Sequence, residues 1–97
     1  MQIDYLVIED MLYTTLIRSY VLEYSSPKVT VIENPDEECW DIHICFPFMG
    51  KIGISTDYSL PIADIDKKTI REVAVRLEQL AIDIKEDCRK QLEEEKE

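Results

Sequence analysis

The spacing of hydrophobic and polar positions changes twice along the chain. In the first 24 residues, apolar side chains recur every three, four or seven positions, which predicts an amphipathic helix. Asp4 is a suitable N-cap for it, and Pro27 ends it, because the residue before a proline is disfavoured in the α region. The side chains expected to face the core are Leu6, Tyr13, Leu16, Ile17, Tyr20, Val21 and Tyr24.

Between residues 28 and 58 the spacing changes to two, which is typical of half-buried β-strands. We expect three strands, and the short turns between them predict an antiparallel meander. The alternation in the middle strand places its aromatic and aliphatic side chains on a single face, the natural floor for the helices. The predicted strands are 28–33, 39–46 and 51–58, and the predicted floor is Trp40, Ile42, Ile44, Phe46, Ile52 and Ile54.

A helical spacing returns in the last third of the chain and predicts a second helix over residues 67–92, with Asp66 as its N-cap. The order α-β-β-β-α therefore predicts a single α+β domain over residues 1–92, with both helices on one face of a three-stranded sheet. Residues 93–97 are expected to form a frayed acidic tail. The predicted apolar stripe is Ile70, Val73, Ala74, Leu77, Ala81, Ile84, Cys88 and Leu92.

The second helix is predicted to be longer than the sheet that it covers. Twenty-six residues of helix extend for about 39 Å, whereas a strand of five or six residues covers about 17–20 Å. The last turns therefore overhang the sheet, and their apolar side chains are either exposed, as in a partner or dimer interface, or packed on the first helix. The candidate residues for self-association are Ile84, Cys88 and Leu92.

Charge restricts the classes of partner. The 97 residues carry 21 acidic and 11 basic side chains, a net charge of −10. Residues 1–64 hold eleven of the acidic side chains and only three of the basic ones. Such a chain repels nucleic acid and anionic lipid and attracts basic surfaces. With only two glycines, it has no glycine-rich loop to bind phosphate.

The cysteines and the N-terminus bear on location. Three cysteines, none in a C-x-x-C pair, are typical of reduced thiols. The N-terminus lacks a basic signal-peptide region, and no apolar run approaches the ~20 residues that span a bilayer. We therefore expect a cytoplasmic protein without membrane contact.

One strand collects most of the chemically versatile side chains. Alternation places Cys39, Asp41, His43 and Cys45 on the strand face opposite the core. Four zinc-ligand types in a row extend over about 20 Å, too far to surround one ion. A Cys-His-Asp catalytic set is equally unsuited, because side chains two apart on a strand stand parallel. We predict a solvated surface, with no metal, cofactor or catalytic residue.

The α-β-β-β-α order resembles the double-stranded-RNA-binding domain over roughly residues 13–80. That family begins its second helix with a KKxAKxxAA pattern, and Lys67, Lys68, Arg71 and Ala74 match its basic and small positions. The resemblance implies that these basic residues bind phosphates, while the first helix and first hairpin loop contact minor grooves. That loop is acidic here, where the family has a neutral loop with a histidine.

The acidic hairpin leads to our main functional prediction. Carboxylates displayed on a turn can dock in the basic channel of a nucleic-acid enzyme and block it. In size and composition the chain resembles phage-encoded anti-restriction and anti-CRISPR proteins, which implies a non-enzymatic, DNA-mimicking inhibitor; immunity proteins and antitoxins share the profile. An assembly subunit acting through the last helix is the alternative, and a direct RNA-binding domain is a more distant one. The predicted partner-binding residues are Glu33, Asp36, Glu37, Glu38, Asp41, Asp57 and Asp64.

Overall fold

A computed structural model describes residues 4–20, 27–47, 51 and 53–95. Within them, two helices and a three-stranded antiparallel sheet follow in the order α-β-β-β-α, which confirms the predicted α+β class. A short 3₁₀-helix, Ile62–Asp64, connects the sheet to the last helix. The elements are α1 (Tyr5–Tyr20), β1 (Lys28–Asn34), β2 (Cys39–Phe46), β3 (Ile54–Pro61) and α2 (Ile70–Glu95).

Strand β2 lies at the centre of the sheet, between β1 and β3. Its predicted bounds and orientation are both confirmed, except that Cys39, predicted to be solvated, is buried at the hairpin end of the strand. The four side chains of its apolar face, at positions 40, 42, 44 and 46, are buried against the helices. Both helices pack on this face and contact each other, α1 lying over β1 and α2 over β3. The opposite face of the sheet, away from the helices, is open.

Helix α1 begins where the sequence predicts. The Asp4 carboxylate accepts hydrogen bonds from the backbone N–H groups of Leu6 and Val7, at 3.1 and 3.2 Å. The predicted core stripe is confirmed at Leu16 but wrong at Leu6 and Tyr13, which are 59% and 37% exposed; the other fully buried side chains are Ile8 and Leu12. Because α1 is apolar on most of its sides, spacing alone does not identify the buried one. Positions 21 and 24 of the predicted stripe lie outside the described residues.

Strand β3 begins three residues later than predicted. Gly53 has a φ of +83°, in the left-handed region that interrupts a strand and favours glycine. The strand starts directly after it and continues to Pro61, so Leu60 joins the core. Position 52 of the predicted floor lies outside the described residues, whereas Ile54 is buried as expected.

Helix α2 begins at a different cap from the one predicted. The Thr69 hydroxyl accepts from the Glu72 N–H at 3.2 Å, and the Glu72 carboxylate accepts from the Thr69 N–H at 3.2 Å. This reciprocal arrangement is a capping box. It replaces the predicted cap at Asp66 and leaves Ile70 exposed rather than buried. The helix continues through Glu95, into the segment expected to be a tail.

Helix α2 runs back along β3, in the opposite direction. Near its start, Arg76 Nε donates to Asp64 at 3.2 Å, just beyond the end of β3. Near its end, Gln91 Nε2 donates to the Ser55 carbonyl at 3.1 Å, at the beginning of β3. These two contacts are fifteen residues apart, or about 22 Å of helix, which matches a strand of eight residues at ~3.3 Å each. The region of α2 between them therefore lies over the sheet.

Candidate functional site

The open face of the sheet is built from two cross-strand rows. One row is Thr30, His43 and Asp57, and the next is Ile32, Asp41 and Ser59. Together they line a shallow depression of about 540 Å³ that is open to solvent. We use "open face" for these six residues. The odd positions of β2 point away from its buried even positions, and their cross-strand partners on β1 and β3 lie on the same face.

Within the first row, His43 and Asp57 form a cross-strand polar contact. The His43 Nδ1 atom lies 2.7 Å from the Asp57 Oδ1 atom, and the two side chains are 49% and 79% exposed. A pair this exposed contributes little to stability, about 0.2–1 kcal/mol. It orients the imidazole across the sheet toward β3, away from Cys45 on its own strand.

The second row forms a polar cluster around Asp41. Its carboxylate accepts hydrogen bonds from Asn34 Nδ2 at 3.2 Å, from Ser59 Oγ at 3.3 Å and from the Cys39 thiol at 3.5 Å. The Ser59 hydroxyl also lies 3.4 Å from the Cys39 sulfur, so its single proton is shared between that sulfur and Asp41. Asp41 is therefore held in position by neutral donors at the hairpin end of the open face.

The hairpin turn, residues 35–38, joins β1 to β2 and carries three exposed carboxylates in a row. The Asn34 side-chain oxygen accepts from the Glu37 N–H at 3.3 Å, and the Pro35 carbonyl accepts from the Glu38 N–H at 3.3 Å. The Glu38 carbonyl accepts from the Ile62 N–H at 3.0 Å, which ties the turn to the connection after β3. These three bonds fix the backbone of the turn.

The seven predicted partner-binding residues do not share one surface. Asp36, Glu37 and Glu38 lie on the hairpin turn, and Asp41 and Asp57 lie on the open face beside it. The other two are elsewhere. Glu33 has the strand parity of Val31 and therefore lies on the helix side of the sheet, although it is exposed. Asp64 pairs with Arg76 beneath α2.

The predicted apolar overhang is not exposed. Ile84 and Cys88 are 0% and 1% exposed, and Leu92 packs against the same core. They lie in or next to the stretch of α2 that runs over β3, so they are part of the fold and do not form an accessible patch. Burial raises the pKa of the Cys88 thiol to about 11, which keeps it protonated at neutral pH.

One contact between α2 and the sheet was not predicted. The Tyr58 hydroxyl donates a hydrogen bond to the Asp87 carboxylate. Burial, and then this bond, raise the Tyr58 pKa above the ordinary 10.0. The sequence signal for such contacts is the spacing of four between Asp87 and Gln91. These two polar side chains lie beside the apolar stripe of α2, and both reach β3.

The residues that carry the resemblance to RNA-binding domains lie at the start of α2. Lys67, Lys68 and Arg71 are all exposed. Lys67 adopts a φ of +62° in the connection before the helix. In the RNA-binding family the first hairpin loop contacts the same nucleic acid, and here that loop presents carboxylates, which phosphates repel.

Within the part of the chain that the structure describes, no group of three or more His, Cys, Asp or Glu side chains is arranged to hold a metal ion. None of the described helices has the length and apolar character needed to cross a membrane. Comparisons with protein-family models, curated proteins and solved structures find no match for this chain.

Proposed function

We propose that this protein is a non-enzymatic inhibitor that docks its hairpin turn and the adjoining open face onto a basic surface of another protein. The observation that carries this proposal is that the carboxylates of Asp36, Glu37 and Glu38 are exposed and unpaired among the described residues. A concentrated, unneutralised charge of this kind attracts a basic partner and speeds its encounter.

The fixed backbone of the hairpin turn supports the same proposal. A mobile acidic loop loses conformational freedom when it binds, which lowers the net affinity. The bonds from Glu37 to Asn34, from Glu38 to Pro35 and from Ile62 to Glu38 mean that much of this ordering is complete before the partner arrives. Asp41, held by its three donors, extends the charge from the turn onto the open face.

The chemistry of the turn favours a partner that normally binds nucleic acid. A channel lined with lysine and arginine to hold phosphates is complementary to a row of carboxylates. Occupying such a channel inhibits the partner by exclusion, without a chemical step. Anti-restriction and anti-CRISPR inhibitors belong to this functional class, and a cytoplasmic location would bring the protein to such a target.

The test compares the wild-type protein with two triple variants of equal charge change. In the first, Asp36, Glu37 and Glu38 are replaced by lysine. In the matched control, the exposed α2 residues Glu78, Asp83 and Glu94 are replaced by lysine. Each immobilised protein is exposed to a host-cell lysate at about 50 mM and about 500 mM salt, because that range shortens the Debye length to a few ångströms. The captured proteins are identified by mass spectrometry.

We expect the wild type and the α2 variant to capture a basic nucleic-acid-binding protein at low salt, and duplex DNA or high salt to release it. The hairpin variant should lose this capture while its far-UV circular dichroism stays that of the wild type. Capture that persists in the hairpin variant would overturn the proposal. Equal loss in both variants would also overturn it, since net charge and not the turn would then be responsible.

A further inference from the structure

The two edges of the sheet are protected to different extents. On β3, Gln91 binds the Ser55 carbonyl, and Pro61 at the end of the strand has no N–H to offer another chain. On β1, no described residue pairs with the outer edge. Such an edge is a template for another strand. In its centre, the Ile32 side chain is 62% exposed.

The hydrogen-bonding pattern identifies the backbone groups that face outward on β1. In an antiparallel ladder, successive residues point alternately toward the partner strand and away from it. Because the Ser55 carbonyl binds Gln91, position 55 points away from β2. The same alternation can be followed from β3 through β2 to β1 by means of the register of the sheet. It shows that the backbone groups of residues 30 and 32 bond to β2, whereas those of residues 29, 31 and 33 point outward. These three residues are the ones able to pair with an added strand.

We propose that the outer edge of β1 binds the same edge of a second copy of this chain, in antiparallel orientation, with Ile32 on the two-fold axis. In this register Val31 and Glu33 of each copy exchange backbone hydrogen bonds. Ile32 then faces its own counterpart as a non-hydrogen-bonded pair, the type in which side chains approach most closely. The two open faces become one continuous surface.

Charge complementarity selects this occupant and this register. Lys28 lies at the start of β1, and the acidic hairpin turn lies just beyond its end. With Ile32 on the axis, the start of β1 in each copy lies beside the hairpin turn of the other, which brings Lys28 of one copy near Asp36 of the other. Two opposite-charge pairs thus flank an apolar contact. The strands are short, so we expect a weak dimer that forms at high concentration.

Disulfide trapping with the purified protein alone tests this register and needs no other partner, so its outcome is independent of the inhibitor proposal. In a Cys45→Ser background, Ile32→Cys places two thiols at a Cα separation of about 4.5 Å, within the disulfide range of about 4.4–6.8 Å. The control Thr30→Cys lies on the same face, but its two copies are about 13 Å apart at ~3.3 Å per residue. Under a mild oxidant, we expect the Ile32→Cys chain to form a covalent dimer and the Thr30→Cys chain to stay monomeric.

Sedimentation velocity across a micromolar-to-millimolar series gives a second, non-covalent measurement. The wild type should shift toward twice the monomer mass as concentration rises. Lys28→Glu or Asp36→Lys alone should reduce that shift, and the combined exchange should restore it. Equal cross-linking at positions 30 and 32, or a wild type that remains monomeric throughout, would overturn the proposal.

Discussion

The hairpin turn and helix α2 are both rich in acid, but their carboxylates have different relationships to the fold. On α2, Glu72 completes the capping box, Asp87 accepts from the Tyr58 hydroxyl, and Glu86 and Glu93 both pair with Arg89. On the hairpin turn, Asp36, Glu37 and Glu38 have no such partners among the described residues. Moreover, Glu38 adopts a φ of +53°, which is unfavourable for a residue with a side chain.

The difference shows what the acidic side chains contribute to stability in each region. Side chains that stabilise a helix or its packing are explained by the fold itself. Adjacent carboxylates that repel each other on a turn reduce stability, and functional sites are where such local conflicts are expected. The comparison can be tested by changing α2, where we expect losses of stability, and then the turn, where we expect a gain. The buried Trp40 provides a fluorescence signal for unfolding.

The largest effect should come from alkaline pH, which acts on the packing between α2 and the sheet. Cys88 and Tyr58 both have a pKa raised in the folded protein, mainly by burial. Their protonated forms are therefore favoured by folding, and this contribution is complete below the unfolded pKa and lost as pH rises. For Cys88, the loss of stability begins near pH 9.0 and extends to about pH 11. It amounts to about 2 kcal/mol. Tyr58 adds a further loss above pH 10.0.

Urea unfolding measured between neutral pH and pH 11 checks this expectation. The control is the double variant Cys88→Ala and Tyr58→Phe, which shares every lysine and carboxylate with the wild type but lacks both groups. Its stability should fall less steeply over the same range. Parallel curves for the two proteins would show that other ionisations control alkaline unfolding.

A smaller loss is expected at the start of α2. Thr69→Ala removes the hydroxyl that accepts from the Glu72 N–H, and losing an N-cap costs about 0.5–2 kcal/mol. Asp66→Ala is the matched control, because Asp66 was the predicted cap and lies just before the observed one. Thermal unfolding should show a lower midpoint for Thr69→Ala only. A larger effect at Asp66 would mean that the helix starts where the sequence first suggested.

The elements that the sequence predicts well are those with a single consistent signal. In β2, strict alternation and the proline at position 47 agree, so both the bounds and the buried face are right. At the start of α2, Asp66 and Thr69 are both suitable caps, and only the glutamate three residues after Thr69 favours the second. In β3, Gly53 fits an alternating pattern equally well as a strand residue or as the residue that interrupts it.

The candidate site is less predictable, because its contacts depend on the register between distant segments. Alternation correctly places Asp41 and His43 on the open face. The contact between His43 and Asp57 requires a cross-strand alignment that local pattern does not specify. The same holds for Tyr58 with Asp87, which depends on how far α2 slides along β3.

The smallest effect is expected on the hairpin turn, with the opposite sign. Glu38→Gly relieves the positive φ and should stabilise the protein by about 0.5–1 kcal/mol, partly offset by the greater freedom of glycine in the unfolded chain. Glu38→Gln removes the same charge without relieving the backbone, so urea unfolding of the two variants separates conformation from repulsion. A gain confined to glycine would mean that backbone strain is the cost of this turn. An equal gain in both would identify the repulsion among the carboxylates as the cost, since the loss of that charge is the change that the two variants share.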